Sequence, residues 1–178
     1  MSFTHVGPAT EITELESQTL PHGRFYKLPD GAWVPSVTTV VGHQSKQGIL
    51  DWEKRVGFTE AQKIRNAASW RGTKYHGLVE FYLNNELEKI EKSEGFPLYL
   101  FRASRSTLDR IGPIHCLETS LHSARLGIAG RVDCIAEFDG ELAVIDFKTT
   151  KTLKKVEWLE KFFVQEAAYA YMYYELTG

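Results

Sequence analysis

The stretch that decides the fold runs Gly130-Arg-Val-Asp-Cys-Ile-Ala-Glu-Phe138, Asp139-Gly140, Glu141-Leu-Ala-Val-Ile-Asp-Phe-Lys148. Two runs of strand-forming residues flank an Asp-Gly pair, which is a strong signal for a two-residue hairpin turn. Such a turn makes Phe138 face Glu141. The same register places Asp133 directly opposite Asp146, so the sequence predicts two carboxylates on one face of a β-hairpin.

The opposed aspartates call for a compensating charge. Like charges directly opposite each other destabilise a sheet, so we expect a cation between Asp133 and Asp146. Lys148 follows Asp146 by two residues and lies on the same face, because strand side chains alternate with a period of two. The pattern D-x12-D-x-K therefore indicates a metal site with an ammonium group beside it.

Length and composition are typical of one globular domain. The chain has 178 residues, of which 43% are hydrophobic and 25% charged, which allows a core without disulfides. No apolar run approaches the roughly 20 residues of a membrane span, and the first residues carry no targeting pattern. We therefore expect a cytoplasmic protein, of a bacterial cell or a phage-infected host, with no membrane partner.

The cysteines limit the cofactors. Cys116 and Cys134 are the two cysteines of the chain, too few for a cysteine-ligated iron–sulfur cluster. Both fall in predicted strands, where a thiol usually packs as a small core residue.

The charge balance limits the partners. A net charge of −2 argues against a protein that coats nucleic acid over its whole surface, but leaves room for a local DNA groove. Basic residues cluster at Arg102, Arg105 and Arg110, and at Lys148, Lys151, Lys154 and Lys155. Such clusters fit either a groove or a solvated face.

Turn and cap signals divide the chain into an N-terminal arm, residues 1–22, and one domain, residues 23–178. We predict a hairpin from residue 24 that continues as an extended run to residue 41, and a β-meander over 114–121, 130–138 and 141–147. Predicted helices cover 45–56, 59–68, 73–91, 98–110 and 156–175. This order predicts an α/β fold, a mixed sheet with an antiparallel meander flanked by helices, and one further strand beyond residue 178.

Two helices carry polar pairs at a spacing of four. His76 and Glu80 share a helix face, from which a histidine can reach a metal, although the pair also fits an exposed surface. Gln165 and Tyr169 share another face, and the alanines between them allow close approach to the sheet. The alternative for Tyr169 is an ordinary core position.

Five segments, taken together and in this order, resemble the PD-(D/E)XK nuclease superfamily. They are Pro35-Ser-Val-Thr-Thr39, Arg71-Gly-Thr-Lys-Tyr-His76 with Glu80, Gly130-Arg-Val-Asp133, Asp146-Phe-Lys-Thr-Thr150 and Gln165-x3-Tyr169. Within the superfamily the resemblance is to the RecB-like exonuclease branch, closest to the mitochondrial genome maintenance exonucleases and related phage exonucleases. It implies a restriction-endonuclease-like core.

The resemblance also implies roles for individual residues. Mg²⁺ or Mn²⁺ would be bound by His76, Asp133, Asp146 and the main-chain carbonyl of Phe147. Lys148 would orient or activate the attacking water, and Asp133, Asp146 and Lys148 would form the catalytic set.

Other residues would support the site or bind substrate. By the same resemblance, Gln165 and Tyr169 would touch the DNA backbone. Ser36 and Thr38 would line the DNA path, although their segment also fits a plain β-rich run. Glu80 and Glu118 are additional candidates, and Glu118 can be a ligand, can orient a water or can be structural.

The leading functional hypothesis is therefore a metal-dependent DNA exonuclease in replication, recombination or repair. The preference for single-stranded DNA with free ends comes from the resemblance. One alternative is a non-catalytic DNA-binding subunit that keeps the nuclease fold. Another is a structure-specific or restriction-type endonuclease on the same core.

Overall fold

The computed structural model describes residues 2–151, 156 and 159–178. Their elements are, in chain order, β1 (Ser17–Leu20), β2 (Gly23–Lys27), β3 (Trp33–Pro35), α1 (Val37–His43), α2 (Lys46–Val56), α3 (Phe58–Leu83), α4 (Leu87–Glu91), α5 (Phe96–Leu108), β4 (Ile111–Ser123), β5 (Ile128–Phe138), β6 (Glu141–Ile145) and α6 (Glu160–Thr177). No helix of this described part is long and apolar enough to cross a bilayer.

The strands form two antiparallel sheets, ordered β1-β2-β3 and β4-β5-β6. Helices flank the sheets, which confirms the predicted α/β class with its antiparallel meander. Within the described residues, parallel pairing is limited to two isolated bridges, His5 with Ile114 and Ser36 with Ala129. The second bridge joins the small sheet to the large one.

The β5–β6 hairpin has the predicted register, from Phe138 opposite Glu141 to Cys134 opposite Ile145. Asp139 and Gly140 both have positive φ, 54° and 88°, as a type I′ turn requires. The strand β6 ends at Ile145 rather than at the predicted residue 147. Asp133 and Asp146 are therefore the residues next to the last ladder pair, which is Cys134 with Ile145.

The large sheet lies between two apolar layers. On one face, Ile114, Cys134 and Ala136 pack with the buried side of α3 and α5. On the other face, Val132 and Ile135 pack with Met172 of α6. The sheet is covered on both sides, and both cysteines are buried in it, as predicted.

The helix α3 corrects a predicted break. We expect separate helices over 59–68 and 73–91, but one helix runs from Phe58 to Leu83, and the separate helix α4 covers Leu87–Glu91. A glycine inside a helix costs only about 1 kcal/mol. Burial of Tyr75, Val79 and Tyr82 in the core outweighs that cost, since tertiary packing supplies most helix stability in proteins.

The helix α1 corrects the predicted extended run to residue 41. Its Val-Thr-Thr-Val-Val sequence favours a strand by propensity, but strand propensity depends strongly on context. Ser36 is the N-cap, and its Oγ accepts a hydrogen bond of 3.0 Å from the backbone N–H of Thr39. The cap and the burial of Val37 favour the helix.

The strand β4 corrects the predicted break at Gly112-Pro113. The strand begins at Ile111, and its register shifts between Ile111 and Ile114 and again between Ile114 and Cys116. A proline lacks the N–H that a ladder needs, and is tolerated on an edge strand or at a bulge. In the order β4-β5-β6, the strand β4 occupies an edge.

The first residues contact the rest of the chain. Phe3 is buried and packs edge-on against Tyr82, Leu15 is buried, and β1 pairs with β2. The predicted arm thus packs against the rest of the chain. The domain boundary at residue 22 stays a prediction. At the other end, α6 begins at Glu160, and the predicted helical residues 157–158 lie outside the described residues.

Gly130 should be intolerant of a side chain. A Cβ at this position would lie 2.9 Å from the ring and the hydroxyl of Tyr169, a buried residue of α6. We expect Gly130→Ala to lower the free energy of unfolding by about 1–3 kcal/mol through overpacking, as measured by urea denaturation.

Gly48→Ala is the matched control, because nothing lies within 4 Å of the added methyl in α2. This control should be neutral or stabilising by up to about 1 kcal/mol. Equal unfolding free energies for the wild type and Gly130→Ala would contradict the tight contact with Tyr169.

Candidate active site

Three acidic residues lie at neighbouring positions of β4, β5 and the segment that follows β6. The register on either side of Glu118 in β4 places it opposite Asp133 in β5. The β5–β6 register, continued by one residue, places Asp146 opposite Asp133 on the other side. The helix α3 adds His76, whose Nδ1 lies 3.6 Å from an Asp133 oxygen.

Asp133 is fixed by the hairpin that carries it. Its Oδ2 accepts a hydrogen bond of 2.8 Å from the backbone N–H of Phe147. Burial raises the pKa of Asp133, and the charge of Asp146 acts in the same direction, against His76 and the Phe147 N–H. The Phe147 ring is buried and meets the His76 ring edge-on, with centroids 6.1 Å apart.

Asp146 is held by two partners. Its side chain is only 4% exposed and pairs with the ammonium group of Lys148. The Gln165 side chain in α6 donates a hydrogen bond of 3.0 Å to Oδ1 of Asp146. The predicted lysine thus lies beside the carboxylates, and the predicted glutamine reaches the same site from the other face of the sheet.

A metal ion fits a neighbouring trio rather than the two aspartates alone. Three ligand atoms lie within 4.8 Å of one another, one each from His76, Glu118 and Asp133. One nitrogen and two carboxylate oxygens form a donor set that Mg²⁺, Mn²⁺ and similar ions accept. Asp146 is not in this described trio, because its oxygens face Lys148 and Gln165.

Glu118 occupies an unusual position. Its φ of 49° is uncommon for a residue other than glycine and is a form of backbone strain that often occurs at functional sites. Burial raises its pKa to about 7, and the charges of Asp133 and Glu80 add to the effect. The structure therefore brings Glu80 and Glu118, the two additional candidates, to the same acidic cluster.

Gln165 and Tyr169 both lie at the site, one helical turn apart on α6. Tyr169 is 3% exposed and packs against Gly130. Burial raises its pKa, and nearby acidic groups, including Asp133 and Asp146, raise it further. Contact of these two side chains with DNA stays a prediction.

Ser36 and Thr38 are less directly placed. Ser36 is 2% exposed, and its hydroxyl caps α1 and bonds to the hydroxyls of Thr38 and Thr39, at 3.0 and 2.8 Å. Thr38 is exposed. Because the Ser36 hydroxyl is occupied within the chain, its role toward substrate stays a prediction.

Two arginines of the basic cluster before the large sheet, Arg105 and Arg110, have partners within the chain. Arg105 donates to the Tyr82 hydroxyl at 3.3 Å, and Arg110 forms a two-point contact with Asp139 in the hairpin turn. These contacts favour structural roles for both arginines over a DNA groove. Of the second cluster, Lys154 and Lys155 lie outside the described residues.

Three further residues lie at the site but were not identified as functional from the sequence: Arg71, Thr149 and Glu166. Arg71 is buried and donates to Thr149, which directly follows Lys148. Glu166 has a pKa raised by burial and by Asp146. The sequence signals only that these residues lie close to predicted site residues. Arg71 and Thr149 lie within two of the five segments that resemble the superfamily, and Glu166 follows Gln165.

Comparison of the sequence with known proteins identifies relatives. The chain is similar to mitochondrial genome maintenance exonuclease 1 of Xenopus tropicalis, 29% identical over 149 residues, and of Homo sapiens, 26% identical over 130 residues. The alignments cover 83% and 68% of this chain. The chain spans only 38% of the length of each relative.

A sequence profile of the PD-(D/E)XK nuclease superfamily matches residues 43–178. This region contains α3, β4, the β5–β6 hairpin that carries Asp133 and α6, and therefore every element that supplies a residue to the acidic cluster. The match also confirms the predicted restriction-endonuclease-like core. The chain belongs to the PD-(D/E)XK nuclease superfamily.

Proposed function

We propose that this chain is a Mg²⁺- or Mn²⁺-dependent DNA exonuclease that hydrolyses phosphodiester bonds. The observation that carries the proposal is the ammonium group of Lys148 on Asp146, directly beside the group of His76, Glu118 and Asp133. The relatives named exonucleases support the same activity. We infer the preference for single-stranded ends, and a role in replication, recombination or repair, from the resemblance.

The metal would be held by His76 and Asp133, with Glu118 as a third side-chain ligand. Asp146 and the carbonyl of Phe147 are the further ligands that the family resemblance implies. When bound, a divalent ion lowers the pKa of a bound water and stabilises the charge on phosphate oxygens. A cation also relieves the repulsion among the clustered carboxylates, which is consistent with their raised pKa values.

The chain's own groups would orient the reactants. Lys148 carries a compact positive charge that can bind a phosphate oxygen or orient the attacking water. Gln165 holds Asp146, and the Phe147 N–H holds Asp133, so both carboxylates keep one orientation. Fixed groups of this kind contribute to catalysis because they need little reorganisation as charge develops.

Lys148→Ala and Asp146→Asn should each reduce the rate of DNA cleavage about a hundredfold or more, because Lys148 would stabilise charge at the phosphate and Asp146 would hold Lys148 and the metal. The measurement is digestion of end-labelled single-stranded and duplex DNA with Mg²⁺ or Mn²⁺. The matched control is Lys161→Ala, since Lys148 and Lys161 both lie over the Phe162 ring. Of these two lysines, Lys148 is the one that contacts Asp146.

A closed single-stranded circle in the same assay separates the alternatives. Cleavage of the circle as fast as the linear strand would identify an endonuclease. DNA binding without cleavage, and without Mn²⁺ binding in calorimetry, would identify a non-catalytic subunit. Equal cleavage by wild type, Lys148→Ala and Asp146→Asn would show that another site is responsible.

The stability of the metal-free protein should fall as the pH rises from about 4.5 to about 7. The pKa of Glu118 is about 7 in the folded chain against an ordinary 4.5, so the folded state binds more protons in this range and is favoured at its lower end. Asp133 acts in the same direction. Thermal melting in a chelator between pH 4.5 and 8 measures the effect.

Glu118→Gln is the control, because it keeps the shape and removes the ionisation. Its melting temperature should fall less over this pH range. Mg²⁺ or Mn²⁺ should raise the melting temperature of the wild type more at pH 8 than at pH 5, since the ligands bind as carboxylates. A wild-type melting temperature that climbs between pH 5 and 7 would refute the assigned charge state.

A further inference from the structure

Arg71 is the one buried side chain of the described residues that carries a permanent charge. It lies on α3 and is only 8% exposed. Arginine is almost never buried this deeply without a charged partner, because removing its charge from water costs several kcal/mol. The position therefore calls for a compensating anion.

No such anion is supplied by the described residues. The Nε of Arg71 donates a long hydrogen bond of 3.3 Å to the hydroxyl of Thr149, and no described carboxylate lies within 4.0 Å of the guanidinium. Other arginines of the chain have acidic partners, such as Arg65 with Glu53 and Arg131 with Glu14. Among the described residues, Arg71 thus has a partner for only one of its five N–H donors.

The unused donors remain accessible. Within the described residues, Ser120 Oγ and His122 Nδ1 are the side-chain polar atoms that are both fully buried and without a partner. The terminal nitrogens of Arg71 also have no partner in this described part of the chain, but they are not among the fully buried atoms. The guanidinium nitrogens therefore keep some contact with solvent, although the residue as a whole is only 8% exposed.

The location joins Arg71 to the proposed active site. Thr149 directly follows Lys148 in the chain. Gly72, the residue after Arg71 in α3, is also close to Thr149, because a Cβ added to Gly72 would lie 3.9 Å from the Thr149 hydroxyl. Arg71 precedes His76 by five residues on the same helix, about 7.5 Å along the axis. Arg71 thus contacts the residue that directly follows Lys148, which itself pairs with Asp146.

We propose that Arg71 is a phosphate receptor, whose guanidinium binds the non-bridging oxygens of the DNA phosphate next to the one at Lys148. The inference rests on the proposed nuclease function and assigns a substrate-binding residue to it. The planar guanidinium donates two parallel hydrogen bonds to a phosphate. Thr149 holds the Nε edge and leaves the terminal nitrogens for the ligand.

The test is binding of a labelled single-stranded oligonucleotide in a chelator, where cleavage is absent. In a series of oligonucleotides, one phosphate at a time is replaced by an uncharged methylphosphonate. For the wild type, one position should weaken binding by roughly tenfold to a hundredfold, the usual size of a charge-assisted hydrogen bond. For Arg71→Gln, overall affinity should fall by a similar factor, and that position should no longer matter.

Arg65→Gln is the matched control, because Arg65 lies on the same helix but is paired with Glu53. It should keep the wild-type response at every position. Arg71→Lys should restore part of the response, since lysine keeps the charge but loses the two-point geometry. The salt dependence of binding should decrease by about 0.7 in log–log slope for Arg71→Gln, as expected for one lost single-strand phosphate contact.

If Arg71→Gln shows the same sensitive position as the wild type, Arg71 is not the receptor. If Arg71→Gln does not fold, the decision passes to Arg71→Lys and Thr149→Val, both of which keep the charge. Each should weaken the response at that position, and an unchanged response in both would overturn the proposal. A wild type that neither binds nor cleaves DNA would instead refute the proposed function itself.

Discussion

A slip of one residue between β5 and β6 would move every side chain of one strand to the opposite face of the sheet, and would separate the groups that form the site. The Asp139-Gly140 turn prevents this slip, because both residues adopt the positive φ of a type I′ turn and Arg110 holds the Asp139 carboxylate. The register then places Asp133 against the segment that follows β6. The hydrogen bond from the Phe147 N–H to Asp133 depends directly on that register.

Crowded carboxylates at this hairpin cost stability, and the fold retains them through specific partners. Asp146 is compensated by Lys148 and Gln165, whereas Glu118 and Asp133 keep raised pKa values. Natural proteins accept such local destabilisation mainly at functional sites. The cluster is consequently a candidate site for a cation.

Local signals in the sequence predicted secondary structure correctly where a single local interaction determines it. They failed where tertiary packing outweighs the local preference. The Asp-Gly turn predicted the hairpin, and Ser45 with Gly57 predicted the limits of α2. Strand propensity after Ser36 and the glycine at position 72 both misled, because capping and core burial outweigh intrinsic preferences of about 1 kcal/mol or less. The proline at 113 misled for a related reason, since an edge strand does not need every N–H.

The sequence by itself determined the acidic hairpin, its register, the lysine beside it and the superfamily resemblance, because these depend on neighbours in the chain and on a period of two. The tertiary structure alone decided which distant groups meet them. It brought Glu118 rather than Asp146 into the trio with His76 and Asp133 and turned Gln165 toward Asp146. It also buried Arg71 against Thr149, with no acidic partner among the described residues. Such contacts depend on how α3 and α6 pack across the sheet, which no local pattern encodes.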